Sequence, residues 1–350
     1  MAPQHRPLTS ILERWIAGEP ISESDRAQLV VWESSDRAAA FDIAPENLDA
    51  AIEYRLQVLQ GLREQFDNFP LPVNGAVLTT LWTLWLPLAI SIAQMRKTLD
   101  RPLVQGVLGG QGMGKTTLAA MLKIILAQLG YRTIGISIDD LYKTYADRQR
   151  LRERDPRFIR RGPPGTHDVD LGLQTLDCLC NPQPAATIEV PRFDKSLWNG
   201  EGDRVVPEIV EGADIILFEG WFVGVRPIDP AMFENPPHPI ATAADIAFAR
   251  EMNQQLAEYL PLWERLDRLI ILHPSDYRLS QKWRLQAEHD AIASGKAGMS
   301  DDEIREFVEY FWKSLHPELY IDPLTQNPEF VDLVVSIEAD RTISRIYRPV

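Results

Sequence analysis

The stretch Leu103–Gly130, LVQGVLGGQGMGKTTLAAMLKIILAQLG, contains the motif that decides the fold. Residues 109–116, GGQGMGKT, match the pattern G-x-x-x-x-G-K-[ST], whose glycines let backbone N–H groups turn inward around a polyphosphate. The apolar run Leu103–Leu108 before this loop predicts a buried strand. After the loop, apolar residues recur at helical spacing. The sequence therefore predicts a strand, a phosphate-binding loop and a helix in this order.

The loop supplies the chemical groups that a nucleoside triphosphate requires. We expect Lys115 to reach the β- and γ-phosphates of ATP, and the hydroxyl of Thr116 to bind Mg²⁺. A chance glycine turn is the alternative, and the strand and helix patterns on either side argue against it. The predicted nucleotide-binding residues are Gly109, Gly110, Gln111, Gly112, Met113, Gly114, Lys115, Thr116 and Thr117.

Composition narrows the class of protein. The net charge of −14 argues against a general nucleic-acid binder, because a phosphate backbone needs a basic surface. Two cysteines, Cys178 and Cys180, are too few for a disulfide framework. The first fifteen residues place charges where a signal peptide needs an apolar core. We therefore expect a reduced, cytoplasmic protein, and a small anionic substrate would need a local cationic pocket.

The chain divides into two predicted regions. Residues 1–98 are predicted to form a helical layer packed on the core, and within them Ala76–Met95 is apolar and long enough to span a bilayer. We favour a buried helix over a membrane span because Pro87 and several polar residues interrupt the stretch. In residues 99–350 strands and helices alternate, which predicts an α/β fold with a doubly wound parallel sheet flanked by helices.

Two acidic residues follow predicted strands. Asp139 comes after the apolar stretch Thr133–Ile138, and Glu219 comes after Ala213–Phe218. Ligands of open α/β sheets bind beyond the carboxyl ends of the strands, so both carboxylates are expected beside the phosphate loop. We expect Asp139 to accept the proton of an attacking hydroxyl, and Glu219 to bind Mg²⁺ opposite Thr116. A capping role is the alternative for each residue.

Basic residues and glycine-rich loops indicate where a substrate binds. The segment Arg148–Arg161 is strongly basic, and a solvated helix face is its alternative interpretation. Residues 160–205 contain two polar loops that we interpret as substrate loops, although a surface turn would have a similar composition. Residues 277–300 are interpreted as a possible lid, in which Lys282 and Arg284 would contact the transferring phosphate.

Five strings together carry a family resemblance: GGQGMGKTT, SIDDLY, RGPPGTHD, PRFDKSLWNGEGDR and LFEGWFVG. They resemble the D-glycerate 3-kinases of the plant and cyanobacterial type. This family belongs to the P-loop kinases related to phosphoribulokinase, uridine kinase and pantothenate kinase. The resemblance covers the chain from about Arg101 to its end. Leu141 departs from it, because an aromatic residue is common at this position.

The resemblance implies a function and a site. It implies ATP- and Mg²⁺-dependent phosphorylation of the 3-hydroxyl of D-glycerate, giving 3-phosphoglycerate in photorespiratory glycolate salvage. It implies that Asp139 is the catalytic base, with Lys115 as the second catalytic residue. The residues that match the family strings, and that we expect to bind the substrate, are Arg161, His167, Asp194 and Lys195.

Two alternatives remain open from the sequence. The chain could be another small-molecule kinase of this fold, acting on a nucleoside, pantothenate or ribulose 5-phosphate. It could also be a regulatory ATPase whose substrate loops bind a protein partner. We expect no nucleic-acid or membrane partner, and the oligomeric state is left open.

Overall fold

The computed structural model describes residues 6–33, 36–181, 187–293, 295 and 298–350, so parts of the predicted ranges 1–98, 160–205 and 277–300 lie outside the described residues. Its α-helices are α1 (Arg6–Ile16), α2 (Glu23–Trp32), α3 (Asp36–Ala40), α4 (Leu48–Gly61), α5 (Gly75–Thr80), α6 (Leu86–Lys97), α7 (Lys115–Gln128), α8 (Tyr145–Arg154), α9 (Val169–Cys180), α10 (Ala243–Gln255), α11 (Leu260–Trp263), α12 (Leu279–Ala293), α13 (Asp301–Ser314) and α14 (Pro317–Leu324). Its strands are β1 (Leu103–Gly109), β2 (Thr133–Ser137), β3 (Ile188–Asp194), β4 (Asp203–Val210), β5 (Ile215–Gly220), β6 (Arg268–Pro274), β7 (Leu333–Ile337) and β8 (Ile343–Tyr347).

The main sheet has β1 near its centre. Its strand order among the described residues is β2-β5-β1-β6-β7-β8, and every neighbouring pair is parallel except β7 and β8. The residues of β1 are all buried, which is why apolar residues occupy most of the strand rather than every second position. The predicted α/β fold is confirmed. Because the parallel strands end at one edge, this edge gathers the loops that follow them.

Helices cover both faces of the sheet. One face packs against α7 and the N-terminal helices in a shared core that includes Leu12, Trp82 and Leu122. The other face packs against the helices α9, α10, α11 and α14. The N-terminal helices therefore cover the sheet on the same face as α7. The predicted division into domains at residue 98 stays a prediction.

The helix Gly75–Lys97 is long and apolar enough to cross a membrane, but 72% of its most apolar window is buried inside the protein. It consists of α5, a π-helical segment over Leu81–Trp85, and α6. The ring of Trp82, in this helix, packs against the guanidinium of Arg55, which is ion-paired with Glu33. Its apolar composition is explained by packing, as the sequence analysis favoured.

An antiparallel hairpin of β3 and β4 forms a separate two-stranded sheet. Strand β3 continues past Val190 to Asp194. The strand extends because Arg192, Phe193 and Asp194 pair with β4 beyond a register shift after Val190. The hairpin carries the string DKS at the start of its connecting loop, so its length decides where Lys195 lies.

Candidate active site

The phosphate loop joins β1 to α7 at the carboxyl edge of the sheet. Gly112 and Gly114 have φ angles of +77° and +80°, which residues with a Cβ rarely adopt. Gly114 is the N-cap of α7 and has no side chain, so it leaves the first N–H groups of the helix open to an anion. The loop therefore has the form that the sequence predicted for binding phosphate.

Lys115 lies folded over this loop. Its Nζ donates a hydrogen bond to the carbonyl oxygen of Gly110 at 3.0 Å and lies 4.0 Å from Oε2 of Glu219. Burial lowers the pKa of Lys115, while the charges of Glu219 and Asp139 act in the opposite direction. Burial likewise raises the pKa of Glu219 against the opposing charge of Lys115. The ends of β1, β2 and β5 thus bring Lys115, Asp139 and Glu219 into one electrostatic group.

Asp139 follows β2 in a short 3₁₀-helix and is held by two side chains. Its Oδ2 lies 2.6 Å from Nζ of Lys195, and its Oδ1 accepts a hydrogen bond of 2.7 Å from the hydroxyl of Tyr142. Burial acts to raise the pKa of Asp139, but the charge of Lys195 and these bonds outweigh it, so the pKa lies below its usual value. The carboxylate is therefore ionised and oriented at neutral pH.

Asp140 occupies a different environment from its neighbour. Its Oδ2 accepts from the backbone N–H of Ser137 at 2.9 Å and from Arg192 at 3.1 Å. This is the geometry of a capping box completed by an ion pair. The capping role that was the alternative for Asp139 therefore belongs to Asp140, while Asp139 carries the contact with Lys195.

His167 is a neutral hydrogen-bonding group. The hydroxyl of Tyr259 accepts from the backbone N–H of Gly165 at 2.9 Å and lies 2.8 Å from Nδ1 of His167. Nε2 of His167 is buried and has no partner among the described residues. Burial lowers the pKa of His167 to about 3. The imidazole is therefore neutral at physiological pH, and it offers hydrogen bonds rather than a positive charge.

Asp194, which was predicted to bind the substrate, has its carboxylate in a turn. Its Oδ1 accepts from the backbone N–H of Ser196 at 2.8 Å and from the hydroxyl of Ser196 at 2.6 Å. The carboxylate is satisfied within its own turn, because a short acidic side chain readily bonds the backbone two residues onward. Asp194 therefore shapes the turn that presents Lys195.

Arg161 and Arg148 hold the loop that follows Lys195. Arg161 donates to the carbonyl oxygens of Gly200 and Glu201 at 2.5 and 2.9 Å, and its guanidinium lies over the ring of Phe193. Arg148 is buried and donates to the carbonyl of Gly202 at 2.6 Å. The solvated helix face that was the alternative for this basic segment is therefore wrong for Arg148.

Two residues that support Asp139 were not predicted from the sequence as site residues. Tyr142 orients the carboxylate, and Arg204 fixes Tyr142 by donating to its carbonyl oxygen at 2.8 Å. Arg204 also donates to Oδ2 of Asp168 at 2.8 Å. A signal for Tyr142 was available, because it stands three residues after Asp139 in the string SIDDLY. The position of Arg204 depends on the pairing of β3 with β4, which the sequence did not predict.

The predicted lid helix lies against the phosphate loop. A Cβ added to Gly112 would be 2.8 Å from Cβ of Trp283, so the two backbones approach closely. Arg284 pairs with Glu288 at 2.8 Å on the same helix, and Lys282 is exposed. Trp283 is therefore the residue of α12 that the structure places on the loop, and the two predicted cations flank it.

The donor atoms near the loop suit magnesium. Thr116 is exposed in the first turn of α7. The carboxylate of Glu219 lies near the ammonium group of Lys115. In the described part of the chain no group of three or more His, Cys, Asp or Glu residues is arranged to hold a metal ion by itself. Mg²⁺ in kinases keeps water and nucleotide oxygens as ligands, so a hydroxyl and one carboxylate fit as its protein ligands.

The known proteins that resemble this chain in sequence include proteins named as kinases. No protein-family model matches the chain. It is 33% identical over 253 residues to the chloroplastic D-glycerate 3-kinase of Arabidopsis thaliana, which corresponds to 69% of this chain and 53% of that protein. It is 32% identical over 223 residues to the uncharacterized kinase mug58 of Schizosaccharomyces pombe, which corresponds to 61% of this chain and 80% of that protein. The match thus spans about half of the Arabidopsis protein and most of the yeast protein.

A solved structure resembles both the sequence and the fold. The D-glycerate 3-kinase from Cryptococcus neoformans var. grubii is 28% identical, with a TM-score of 0.63. The superposition covers 74% of this chain and 95% of that chain. The shared part is therefore almost the whole of the fungal protein.

Proposed function

Because the chain belongs to the D-glycerate 3-kinase family of P-loop kinases, we propose that it transfers the γ-phosphoryl group of ATP to the 3-hydroxyl of D-glycerate. One observation carries the proposal beyond family membership. Nζ of Lys195 lies 2.6 Å from Oδ2 of Asp139, next to the group formed by Lys115 and Glu219. A proton acceptor, a cation for a carboxylate and a phosphate-binding lysine thus lie in one site, as an acid with a hydroxyl group requires.

In the proposed reaction Asp139 accepts the proton of the glycerate hydroxyl as the oxygen attacks. A bond forms between this oxygen and the γ-phosphorus, and the bond from the γ-phosphorus to the β,γ-bridging oxygen breaks. ADP leaves with the electron pair of that bond, and the product is 3-phosphoglycerate. Tyr142 keeps the carboxylate of Asp139 oriented toward the acceptor through its hydrogen bond.

Lys195 is proposed to bind the carboxylate of glycerate. Its side chain is 59% exposed and belongs to a turn, so it can exchange one carboxylate partner for another. When the substrate carboxylate takes this cation, Oδ2 of Asp139 is released to accept a proton. Binding of the acid would then prepare the base, which favours a hydroxy acid over a neutral alcohol as acceptor.

The remaining groups are proposed to stabilise charge. Backbone N–H groups of residues 109–117 and the side chain of Lys115 hold the phosphates. Mg²⁺, when bound by Thr116 and Glu219, neutralises charge on the phosphate oxygens. Arg284 would reach the transferring group only by leaving Glu288, its partner at 2.8 Å, and Lys282 has the more open position.

The test is an ADP-release assay on the purified protein with ATP, Mg²⁺ and a panel of acceptors. We expect turnover that depends on D-glycerate and a phosphate on the 3-oxygen, identified by NMR of the product. L-glycerate, uridine, pantothenate and ribulose 5-phosphate are the comparison acceptors. Faster turnover with one of these would assign a different small-molecule kinase. Equal ADP release with and without any acceptor would instead assign an ATPase.

The wider setting stays a prediction. The photorespiratory role and the cytoplasmic location follow from the resemblance and the composition alone. An acid phosphorylated at its terminal hydroxyl requires a reaction that supplies a three-carbon hydroxy acid and one that consumes its phosphate ester. Fractionation of cells that express the tagged full-length chain would test the location.

A further inference from the structure

A large cavity lies beside the phosphate loop, away from the proposed site of phosphoryl transfer. Its volume is about 630 Å³, and most of its lining residues belong to three segments: the loop and the start of α7, the helix Gly75–Lys97, and the β7–β8 hairpin. Its lining residues include Gly114, Thr117, Thr80, Thr83, Trp85 and Arg341. Asp139, Glu219 and Lys195 do not line it among the described residues. The cavity is therefore a second space that opens on the same loop.

The direction of ATP across the loop determines what this cavity can hold. The γ-phosphate must lie near Lys115 and Asp139, where the acceptor is phosphorylated. The loop's N–H groups bind the phosphate chain along its length. The nucleoside therefore lies at the end of this chain that is opposite the γ-phosphate. Gly114 and Thr117 open on the cavity, and Asp139 does not. The base and sugar are thus directed into it.

Volume supports the same assignment. Pockets that bind small molecules usually have volumes of roughly 300–1,000 Å³, and this cavity of about 630 Å³ falls in that range. A second cavity touches the loop at Gly110 and Gln111, but its volume is only about 60 Å³. This is too small for a nucleoside. Of these two cavities at the loop, only the larger accommodates a base with its ribose.

The N-terminal wall of the cavity is built by an unusual piece of helix. Leu81–Trp85, between α5 and α6, is π-helical. Such segments are rare in proteins, and those that occur are often at functional sites. Three consecutive residues of this segment, Thr83, Leu84 and Trp85, line the cavity. They supply a hydroxyl, an aliphatic side chain and an indole, all nearly fully buried from solvent. A polar group beside an aromatic face is the combination that binds a purine nucleoside.

We infer that the N-terminal helical region completes the nucleoside-binding pocket of this kinase. Thr83 and Trp85 contact the base and ribose from one side, and the β7–β8 hairpin, with Arg341 at its turn, faces them from the other. The inference rests on the proposed use of ATP. It gives the N-terminal region, which contains no predicted catalytic residue, a direct part in ligand binding.

The test compares binding of ADP with binding of pyrophosphate by calorimetry in the presence of Mg²⁺, using the full-length protein. Pyrophosphate contacts the loop alone, whereas ADP also fills the cavity. Thr83→Val removes one hydroxyl at constant shape and should raise the dissociation constant of ADP about 2- to 10-fold. Thr80→Trp places a large side chain at the partly exposed rim and should raise it at least about 10-fold. Pyrophosphate should bind both variants as it binds the unchanged protein.

The control and the outcomes separate the inference from the proposed function. Thr98→Trp places the same side chain at the exposed end of the same helix, away from the cavity, and should leave ADP binding unchanged. If the unchanged protein fails to bind ADP, the proposed use of ATP is wrong. If it binds ADP and both cavity variants bind equally well, the inference is overturned. An equal loss of pyrophosphate binding would also overturn it, because the helix would then act on the loop rather than on the nucleoside.

Discussion

The two ends of the proposed reaction site are built in different ways. The phosphate end is made by the backbone of one continuous segment, residues 109–117, between a strand and a helix. The acceptor end is made by side chains from separate segments, among them Asp139 after β2 and Lys195 after β3. The first end depends on the absence of side chains, and the second depends on particular side chains.

This difference predicts how each end fails. A backbone cradle keeps its N–H groups when exposed side chains around it change, but an added Cβ can distort it. The acceptor end keeps its fold when Lys195 changes, because this side chain is 59% exposed, but it loses a charge that no backbone group replaces. Substitutions should therefore separate nucleotide binding from acceptor chemistry.

The largest separation is expected from Asp139→Asn. The amide keeps the size of the carboxylate but does not accept the proton, so kcat should fall by about 10²- to 10⁴-fold while ADP affinity is nearly unchanged. Asp140→Asn is the matched control, since Asp140 bonds Ser137 and Arg192 instead of Lys195. Steady-state kinetics and ADP calorimetry measure both effects. Activity of Asp139→Asn within a few-fold of the unchanged protein would show that Asp139 is not the base.

Lys195→Ala should produce the next largest effect, and this effect should be on KM for D-glycerate rather than on kcat. Losing a charge-assisted hydrogen bond to the substrate carboxylate costs about 1.5–3 kcal/mol, so KM for D-glycerate should rise about 10- to 100-fold. KM for ATP should change little. Asp194→Asn, in the same turn, should change KM for glycerate far less, because its carboxylate bonds Ser196 within the turn. Equal increases in both KM values for Lys195→Ala would remove this residue from the acid-binding pocket.

The phosphate end is tested by Gly112→Ala. Alanine would be strained at a φ of +77°, and its Cβ would lie 2.8 Å from Cβ of Trp283. The free energy of unfolding should fall by about 1–3 kcal/mol from the backbone strain and by more from the contact, with weaker ADP binding. Gly130→Ala is the control, since Gly130 has a φ of +88° with no atom within 4 Å of its added Cβ. Chemical denaturation should therefore give a smaller loss for Gly130→Ala, and equal losses would contradict close packing at Gly112.

The same difference explains how much could be predicted from the sequence. The strand, loop and helix around Lys115 are encoded by contiguous residues, so their order and the α/β fold followed from local patterns. Asp139 and Glu219 were found because parallel strands end at one edge of a sheet. Lys195 was found only through the family strings, since no spacing rule places it beside Asp139.

What was missed depends on contacts between distant residues. Burial keeps His167 neutral, and its Nδ1 lies 2.8 Å from the hydroxyl of Tyr259, 92 residues away. Arg148 is buried because it bonds Gly202, 54 residues away, across the β3–β4 hairpin. The bond of Asp194 within its own turn was missed for a different reason, because a family string shows which residues recur and not which of them bond their own turn. Each miss concerns where a side chain ends rather than where the backbone runs.

The smallest and most specific effect is expected in the pH profile. Lys195 holds the pKa of Asp139 below its usual value of 3.8, against burial, which acts to raise it. A base works when ionised, so kcat/KM of the unchanged protein should lose activity only below the usual carboxylate range. In Lys195→Met the charge that opposes burial is lost, so the pKa of Asp139 should rise. The acid limb of the kcat/KM profile should therefore move to higher pH. Lys282→Met, at an exposed position on α12, should leave the limb in place. Circular dichroism at each pH separates this shift from unfolding, and an unmoved limb in Lys195→Met would mean that this lysine does not act on the group that accepts the proton.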